Sequence, residues 1–358
     1  MKRVTELQER IAGIVSNWES QGMRRPGRGT LQGITGASEW HVRQALADMD
    51  ITNTDAEPEF QVEPLPNADL PLDELIARKK DEFARGKKLA DALQEVTVFV
   101  NVDGPIAISH FGDPHIDDPG CDLALLEHHM TIVRDTPGMF AGNVGDSQNN
   151  WAPRLCHLFA KQETTKHDAR RLVEWLLRGF GLKWLYVIGG NHDAWSGEND
   201  PLEWIMSQDR ADQGHFRYHG VRIKLRFPNG KDVYISARHD FKGSSISNNA
   251  HGPMRAAKKL HDHIFTCGHR HCSGYGIVKS PGGMVSHCIR VPAYKTIDEY
   301  AQQGGYDDET ISPCVTTIID PDLPDGHPDQ IDTYQGPARA AYVLTQLRNQ
   351  HSKRKAAA

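Results

Sequence analysis

At 358 residues the chain exceeds one small domain and has room for an enzyme-sized domain with an appendage. Its 41 Lys and Arg against 47 Asp and Glu give a formal charge of −6, which argues against a surface that coats nucleic acid throughout. No apolar run approaches the roughly 20 residues of a membrane span, and the start, MKRVTELQERIAGIV, lacks a signal-peptide core. Six scattered cysteines form no Cys-x-x-Cys pair, which points to reduced thiols in a cytoplasm rather than to a disulfide scaffold or a four-cysteine zinc site.

Val4, Leu7, Ile11, Ile14, Val15 and Trp18 recur at helical spacing, so residues 4–18 are expected to form an amphipathic helix that RRPGRG (24–29) ends. TLQGITGASEWHVRQALADMD then reads as a short helix over 30–34, a turn at Thr35-Gly36-Ala37 and an N-cap at Ser38. The second helix turns Val42, Ala45, Leu46 and Met49 inward. Helix, glycine-containing turn, helix is a helix-turn-helix pattern. Its outward face carries Trp40, His41, Arg43 and Gln44, with Arg24, Arg25 and Arg28 beside it as phosphate contacts, so DNA is the expected partner of residues 1–52. The plainer reading is a small helical module for packing or for pairing two chains.

Residues 53–72 are acidic and proline-rich without a period and read as a linker; 73–95 read as a charged, solvated helix, and 53–95 together connect the front module to a larger domain. From 96 to 320, strand-like runs (VTVFV, PIAISHF, MFAGNV, KWLYVIGG, GVRIKLRF, DVYISAR, DHIFTCG, GMVSHCIRV) alternate with helical ones (CDLALLEHHMTIV, KHDARRLVEWLLRGF, PMRAAKKLH). Alternation followed by strand-rich sequence predicts an α/β sandwich with two sheets inside and helices outside. Residues 321–358 read as a tail with one helix, near 337–349.

Five strand ends carry chemistry. PIAISHF is followed by Gly112-Asp113-Pro114-His115, MFAGNV by Gly145-Asp146-Ser147-Gln148-Asn149, and KWLYVIG by Gly190-Asn191-His192-Asp193. DVYISAR is followed by His239 and DHIFTC by Gly268-His269-Arg270-His271. Alone, each is a weak signal: Gly-Asp is usually a turn, and a lone strand-end histidine is usually structural. Together they place oxygen and imidazole groups at the sheet edge where ligands bind in α/β folds. Asp113, His115, Asp146, Asn191, His239, His269 and His271 make seven donors, too many for one ion and suited to two that share a carboxylate. Carboxylate, amide and imidazole without thiolate suit manganese first, with iron, zinc or nickel as alternates. Two such ions, roughly 3.5–4 Å apart, polarise a phosphoryl group and generate hydroxide from water near neutral pH.

This ordered set resembles the calcineurin-like metallophosphoesterase family, which includes the nuclease subunits of repair complexes. The family's Asp-x-His, Gly-Asp, Gly-Asn-His-Asp/Glu, lone His and Gly-His-x-His all occur in order between Asp113 and His271. The resemblance implies a four-layer α/β/β/α sandwich and assigns roles. Asp113, His115 and His271 hold the first ion; Asn191, His239 and His269 hold the second; Asp146 bridges them. His192 gives a proton to the leaving oxygen, and Asp193 accepts the other ring proton of His192 and aims it. The second motif often reads Gly-Asp-x-x-Asp, and here its last position is Asn149, whose amide is expected to bind substrate or water. His251 rivals His239 for the fourth motif.

Loops around such a centre select the substrate. Asn150, Trp151, Trp195 and Arg255 are candidates to stack on a base or grip a phosphate. With a DNA-reading module tethered in front, hydrolysis of nucleic-acid phosphodiesters is the leading expectation, in an architecture like that of phage proteins. An enzyme for small nucleotides or cyclic nucleotides, its front module pairing two chains, is the first alternative; a DNA-binding regulator with a structural metal centre is the second.

Overall fold

A computed structural model of the chain describes residues 2–49, 69–92, 94–151, 156–195, 201–206, 214–297, 305 and 309–357; most of the expected linker lies outside them. The chain divides into two units, Met1–Arg78 and Lys79–Ala358.

In the first unit, α1 (Lys2–Ser20), α2 (Arg28–Thr35) and α3 (Glu39–Asp48) share one apolar core. Ile11 and Val15 meet Leu31 of α2 and Val42, Ala45 and Leu46 of α3, the spacing that periodicity predicts. Gly36 stops α2 in the left-handed region (φ 69°), and Ser38 starts α3 from an extended backbone, its Oγ 2.7 Å from His41 Nδ1. Trp40 is 63% exposed, and Arg24, Arg28, Arg43 and Gln44 face solvent. Arg25 is exposed too but paired with Glu19. Helix α4 (Leu72–Ala92) spans the division between the units, exposed from Leu72 to Asp91.

The second unit holds β1 (Val96–Phe99), β2 (Ile106–Phe111), α5 (Leu123–Asp135), β3 (Met139–Asn143), α6 (Lys166–Glu174, running into a π turn), β4 (Trp184–Gly189), α7 (Asn191–Ala194) and α8 (Pro201–Met206). There follow β5 (His215–Tyr218), β6 (Gly220–Arg226), β7 (Asp232–Arg238), α9 (His251–Leu260), β8 (Ile264–Cys267), β9 (Gly274–Lys279), β10 (Val285–Arg290), β11 (Cys314–Ile319) and β12 (Ile331–Gln335). Helix α10 (Pro337–Ala357) closes the described chain.

The strands form two six-stranded mixed sheets, ordered β1-β6-β7-β8-β10-β9 and β12-β11-β2-β3-β4-β5. Alternation decides which faces meet. Val221, Ile223 and Leu225 of β6 and Val233, Ile235 and Ala237 of β7 pack against Ile106, Ile108 and Ile188 of the other sheet. Helices α5, α6 and α10 cover the outer face of the β2 sheet through Leu126, Met130, Val173, Leu176, Ala340 and Leu344. On the opposite side Ala257 of α9 packs with Phe265 and Cys288. The unit is therefore layered α/β/β/α.

Residues 321–357 hold a strand besides the one helix expected there. Strand β12 pairs antiparallel with β11, and α10 buries Ala340 and Leu344 in the main core. The strand IDTYQ is short and mostly polar, as an edge strand tolerates, and so carries little alternation to read.

Candidate metal centre

Strands β2, β3 and β4 run parallel and adjacent in one sheet, and β7 and β8 run parallel in the other. Parallel neighbours put their carboxyl ends side by side, so the five motifs leave the sheets at one edge. All seven expected donors gather there. Asp146 Oδ2 lies 3.2 Å from His239 Nε2 and 4.0 Å from Nε2 of both His115 and His192. His239 Nε2 is 2.8 Å from Asn191 Oδ1 and 3.1 Å from His269 Nδ1. His271 Nε2 is 3.2 Å from His115 Nε2 and 3.6 Å from Asp113 Oδ2. Asp146 belongs to two groups that could each hold an ion, one with His239 and His269, the other with His115 and His192.

The backbone is bent to do this. His115, Asp146, His269 and His271 adopt positive φ (41°, 44°, 69° and 52°), a region that costs a non-glycine residue energy and that tends to mark functional sites. Two glycines allow the close approach. A Cβ on Gly190 would sit 2.1 Å from Asp146 Oδ1, and one on Gly268 would sit 2.5 Å from Asp113 Oδ1.

Hydrogen bonds fix how each imidazole points. His239 Nδ1 faces the Val144 carbonyl at 3.0 Å, and an oxygen that only accepts puts the proton on Nδ1. The same holds for His115, whose Nδ1 donates to Asn149 Oδ1 at 2.9 Å; that amide cannot be flipped, because its Nδ2 donates to Asp118 Oδ2 at 2.7 Å. In both rings Nε2 is turned toward Asp146 as a result.

The electrostatics ask for a cation. Asp113 is fully buried, its Oδ1 has no hydrogen-bond partner, and its Oδ2 accepts from the His269 backbone amide at 2.6 Å. Burial pushes the Asp113 carboxyl up, with His239 opposing and Asp146 adding to the rise. Burial works against the His239 imidazolium, yet Asp146 and then Asp113 hold it up at about 10. Asp146 in turn is held well below the carboxylate range by His239, His192 and His115, against burial. His115 is kept neutral by burial, then by His192 and His271. Facing ring nitrogens, an orphaned carboxylate oxygen and a cation-seeking carboxylate pair fit divalent ions bound through oxygen and imidazole.

Two expected partners differ. The Nδ1 of His192 lies 2.5 Å from the Asn149 carbonyl rather than against Asp193. The Asp193 carboxylate instead accepts from the amides of Gly190 (2.9 Å) and Ser147 (3.2 Å), tying two motif loops together. Asn149 is itself buried and engaged inside the protein. Besides His115 and Asp118, its amide nitrogen reaches Gln162, and its backbone N donates to Asp117 Oδ1 at 2.7 Å. Asp117 also accepts from Gln162, and Asp118 pairs with buried Lys295. None of Asp117, Asp118, Gln162 and Lys295 stands out individually in the sequence; the first three lie in loops expected only to select substrate.

Trp151 and Trp195 both pack on His192, with ring centroids 5.3 and 4.2 Å away. Trp151 is buried, which rules out the expected stacking on a base in this form. His192 is 14% exposed, and burial holds its imidazolium down. His251 starts α9, exposed, and Arg255 lies exposed one turn on; both flank Gly243 rather than the donors, so His239 alone of the two rivals joins the cluster.

No family model matches the sequence, and no curated protein matches it. Among solved structures the chain is similar to the Haemophilus influenzae NAD nucleotidase, at 11% identity and a TM-score of 0.35, over 65% of this chain and 49% of that one. It spans about half that protein's length. It is also similar to a candidate diadenosine tetraphosphatase, at 14% identity and a TM-score of 0.29, over 68% of this chain and 98% of that one. Likeness at this level carries no weight for the chemistry, which rests on the geometry of the donors.

Proposed function

We propose that this chain is a phosphoesterase that works with two divalent ions. Asp113, His115 and His271 would hold one, Asn191, His239 and His269 the other, with Asp146 between them. The observation that carries this reading is the meeting of seven donors from five strand ends, with Asp146 Oδ2 4.0 Å from His115 and 3.2 Å from His239, and His271 and Asn191 against those two rings. When bound, the ions polarise the phosphoryl group and lower the pKa of water.

The chain's own residues do the rest. We assign His192 as the proton donor: its Nδ1–H is committed to the Asn149 carbonyl, so Nε2 is the atom that gives a proton to the leaving oxygen, and it does so from the imidazolium, the form that burial disfavours. Trp151 and Trp195 fix the plane of that ring. We assign Asn149 to positioning, since its side chain aims His115 and its carbonyl aims His192. Asp193 serves by joining the loops that carry Asp146 and Asn191.

We further propose nucleic acid as the substrate, with manganese as the working metal. Support for DNA is the exposed set Trp40, Arg43, Gln44, Arg24 and Arg28 on the three-helix unit. A second reading, hydrolysis of small phosphodiesters, is favoured by one observation: the tryptophans that could have stacked on bases are spent on His192. Manganese-loaded protein assayed on single- and double-stranded DNA and on bis(p-nitrophenyl) phosphate separates the two. Cleavage of DNA supports the first; turnover of the small diester with DNA left intact supports the second. No turnover of either with any divalent metal overturns both.

A further inference from the structure

Arg290 ends β10 and is the largest fully buried side chain described, 1% exposed. A buried guanidinium is costly unless its charge is met and its N–H groups are used. Here three nitrogens reach three separate segments. Nε donates to the Asn249 carbonyl at 2.9 Å, Nη1 to the Gly268 carbonyl at 2.6 Å, and Nη2 to Asp240 Oδ1 at 2.9 Å.

Two of those segments carry the histidine donors of one ion, and the one at Gly268 also carries His271 of the other, two residues beyond His269. Asp240 directly follows His239, and Gly268 directly precedes His269. The Gly268 amide also donates to the His239 carbonyl at 3.1 Å, so the two loops are stitched by backbone and clamped by one fork. The space is tight: a Cβ on Gly252 would lie 3.3 Å from Arg290 Nη2 and 2.6 Å from the Phe241 carbonyl. A lysine ammonium lacks the planar fork that serves three divergent acceptors. Asp240 neutralises the guanidinium, so an ion beside His239 and His269 meets a paired charge rather than a bare cation. His115, a donor of the other ion, is held separately, by Asn149 and by its own backbone amide bonding the Asp146 carbonyl at 3.0 Å, whereas His271 shares the clamped loop.

We propose that Arg290 is a positioning residue for the His239–His269 half of the centre, so that losing its fork weakens that ion position more than the other, where only His271 shares the clamped loop. This rests on the two-ion reading of the centre.

The test uses the full chain with Mn²⁺ alone as the probe. Arg290→Lys and Arg290→Met are compared with wild type by calorimetric titration, by metal content after gel filtration, and by electron paramagnetic resonance. The expected result is two ions in wild type with a spin-coupled signal. In both variants one ion should be retained, the other bound about 10–100-fold more weakly, and the signal should be that of isolated Mn²⁺. Should Arg290→Met fail to fold by circular dichroism, Asp240→Asn carries the test, because it leaves the guanidinium uncompensated beside the same two histidines, and the same selective loss is expected. Variants that bind two ions with wild-type affinity and coupling overturn the role of Arg290 while leaving the two-ion reading intact. Equal weakening of both ions also overturns it, since the effect would then not be local. A wild type that binds fewer than two ions overturns the reading and the inference together.

Discussion

Asn149 and His192 show how single atoms decide roles at this site. The amide of Asn149 is locked between His115 and Asp118, which makes it a support for a ligand rather than a contact for substrate. Replacing Asn149 with Ala should therefore weaken Mn²⁺ binding about 10–100-fold, measured by titration calorimetry. Unchanged affinity with lost turnover would return Asn149 to the substrate. His192→Ala should behave oppositely, lowering kcat by about 10²–10⁴-fold while metal content stays at the wild-type level. A variant that kept its turnover would remove His192 as the proton donor. The identities of the donors were readable because four of the five motifs pair a glycine with a ligand type at a strand end, and the fifth, His239, directly follows a strand. Their partners were not. Whether His192 meets Asp193 or a carbonyl depends on how loop 146–150 folds, and Asn150 and Asp146 there take left-handed conformations that no residue pattern announces. Arg290 was equally hidden, since it lies within GMVSHCIRV, a run that reads only as a strand.

At the level of elements, the strands buried on both faces (β2, β4, β8) and the amphipathic helices were legible, because a continuous apolar run and a 3.6-residue period each survive without context. What escaped were short or polar edges and one interior strand, β11, whose CVTTII run is buried throughout but half threonine and cysteine. Strand β12 and the edge strands β5 and β9 expose one side, carry few apolar residues and take their identity from the neighbour they pair with. Helix α10 was legible near 337–349, but its packing was not. Its second half is polar and solvated, yet Ala340 and Leu344 are fully buried against α5 and the β2 sheet. Leu344→Ala should cost about 3 kcal/mol of unfolding free energy by urea titration, the range for a leucine cavity. A loss under about 0.5 kcal/mol would mean that α10 is peripheral after all.

For the whole molecule, pH and salt report on different units. Burial pushes the His110 imidazole down to about 3, from an ordinary value of 6.5. Between those limits the unfolded chain binds a proton that the native chain refuses, so this contribution is complete above pH 6.5 and is lost as pH falls toward 3. The slope is at most about 1.4 kcal/mol per pH unit for one such group. Urea midpoints of wild type should fall as the pH is lowered from neutral into the acid range, and His110→Gln should flatten that fall; parallel curves would contradict the assignment. Among the described residues no helix is long and apolar enough to cross a membrane. If the three-helix unit grips phosphates, replacing Arg24, Arg28 and Arg43 with Ala should weaken binding alike on all DNA sequences. The slope of log K against log salt should also shrink by about 0.9 for each phosphate no longer neutralised. An unchanged slope would detach that unit from DNA.

The phosphoesterase reading turns on whether the carboxylate of Asp146 sits between two cations. Anomalous diffraction from crystals soaked in Mn²⁺ tests it most directly. Two peaks flanking Asp146 Oδ2 are predicted, one toward His115 and His271, the other toward His239 and His269, and both should vanish in Asp146→Ala. No peak at this edge of the sheets, or peaks confined to surface carboxylates elsewhere, would contradict it.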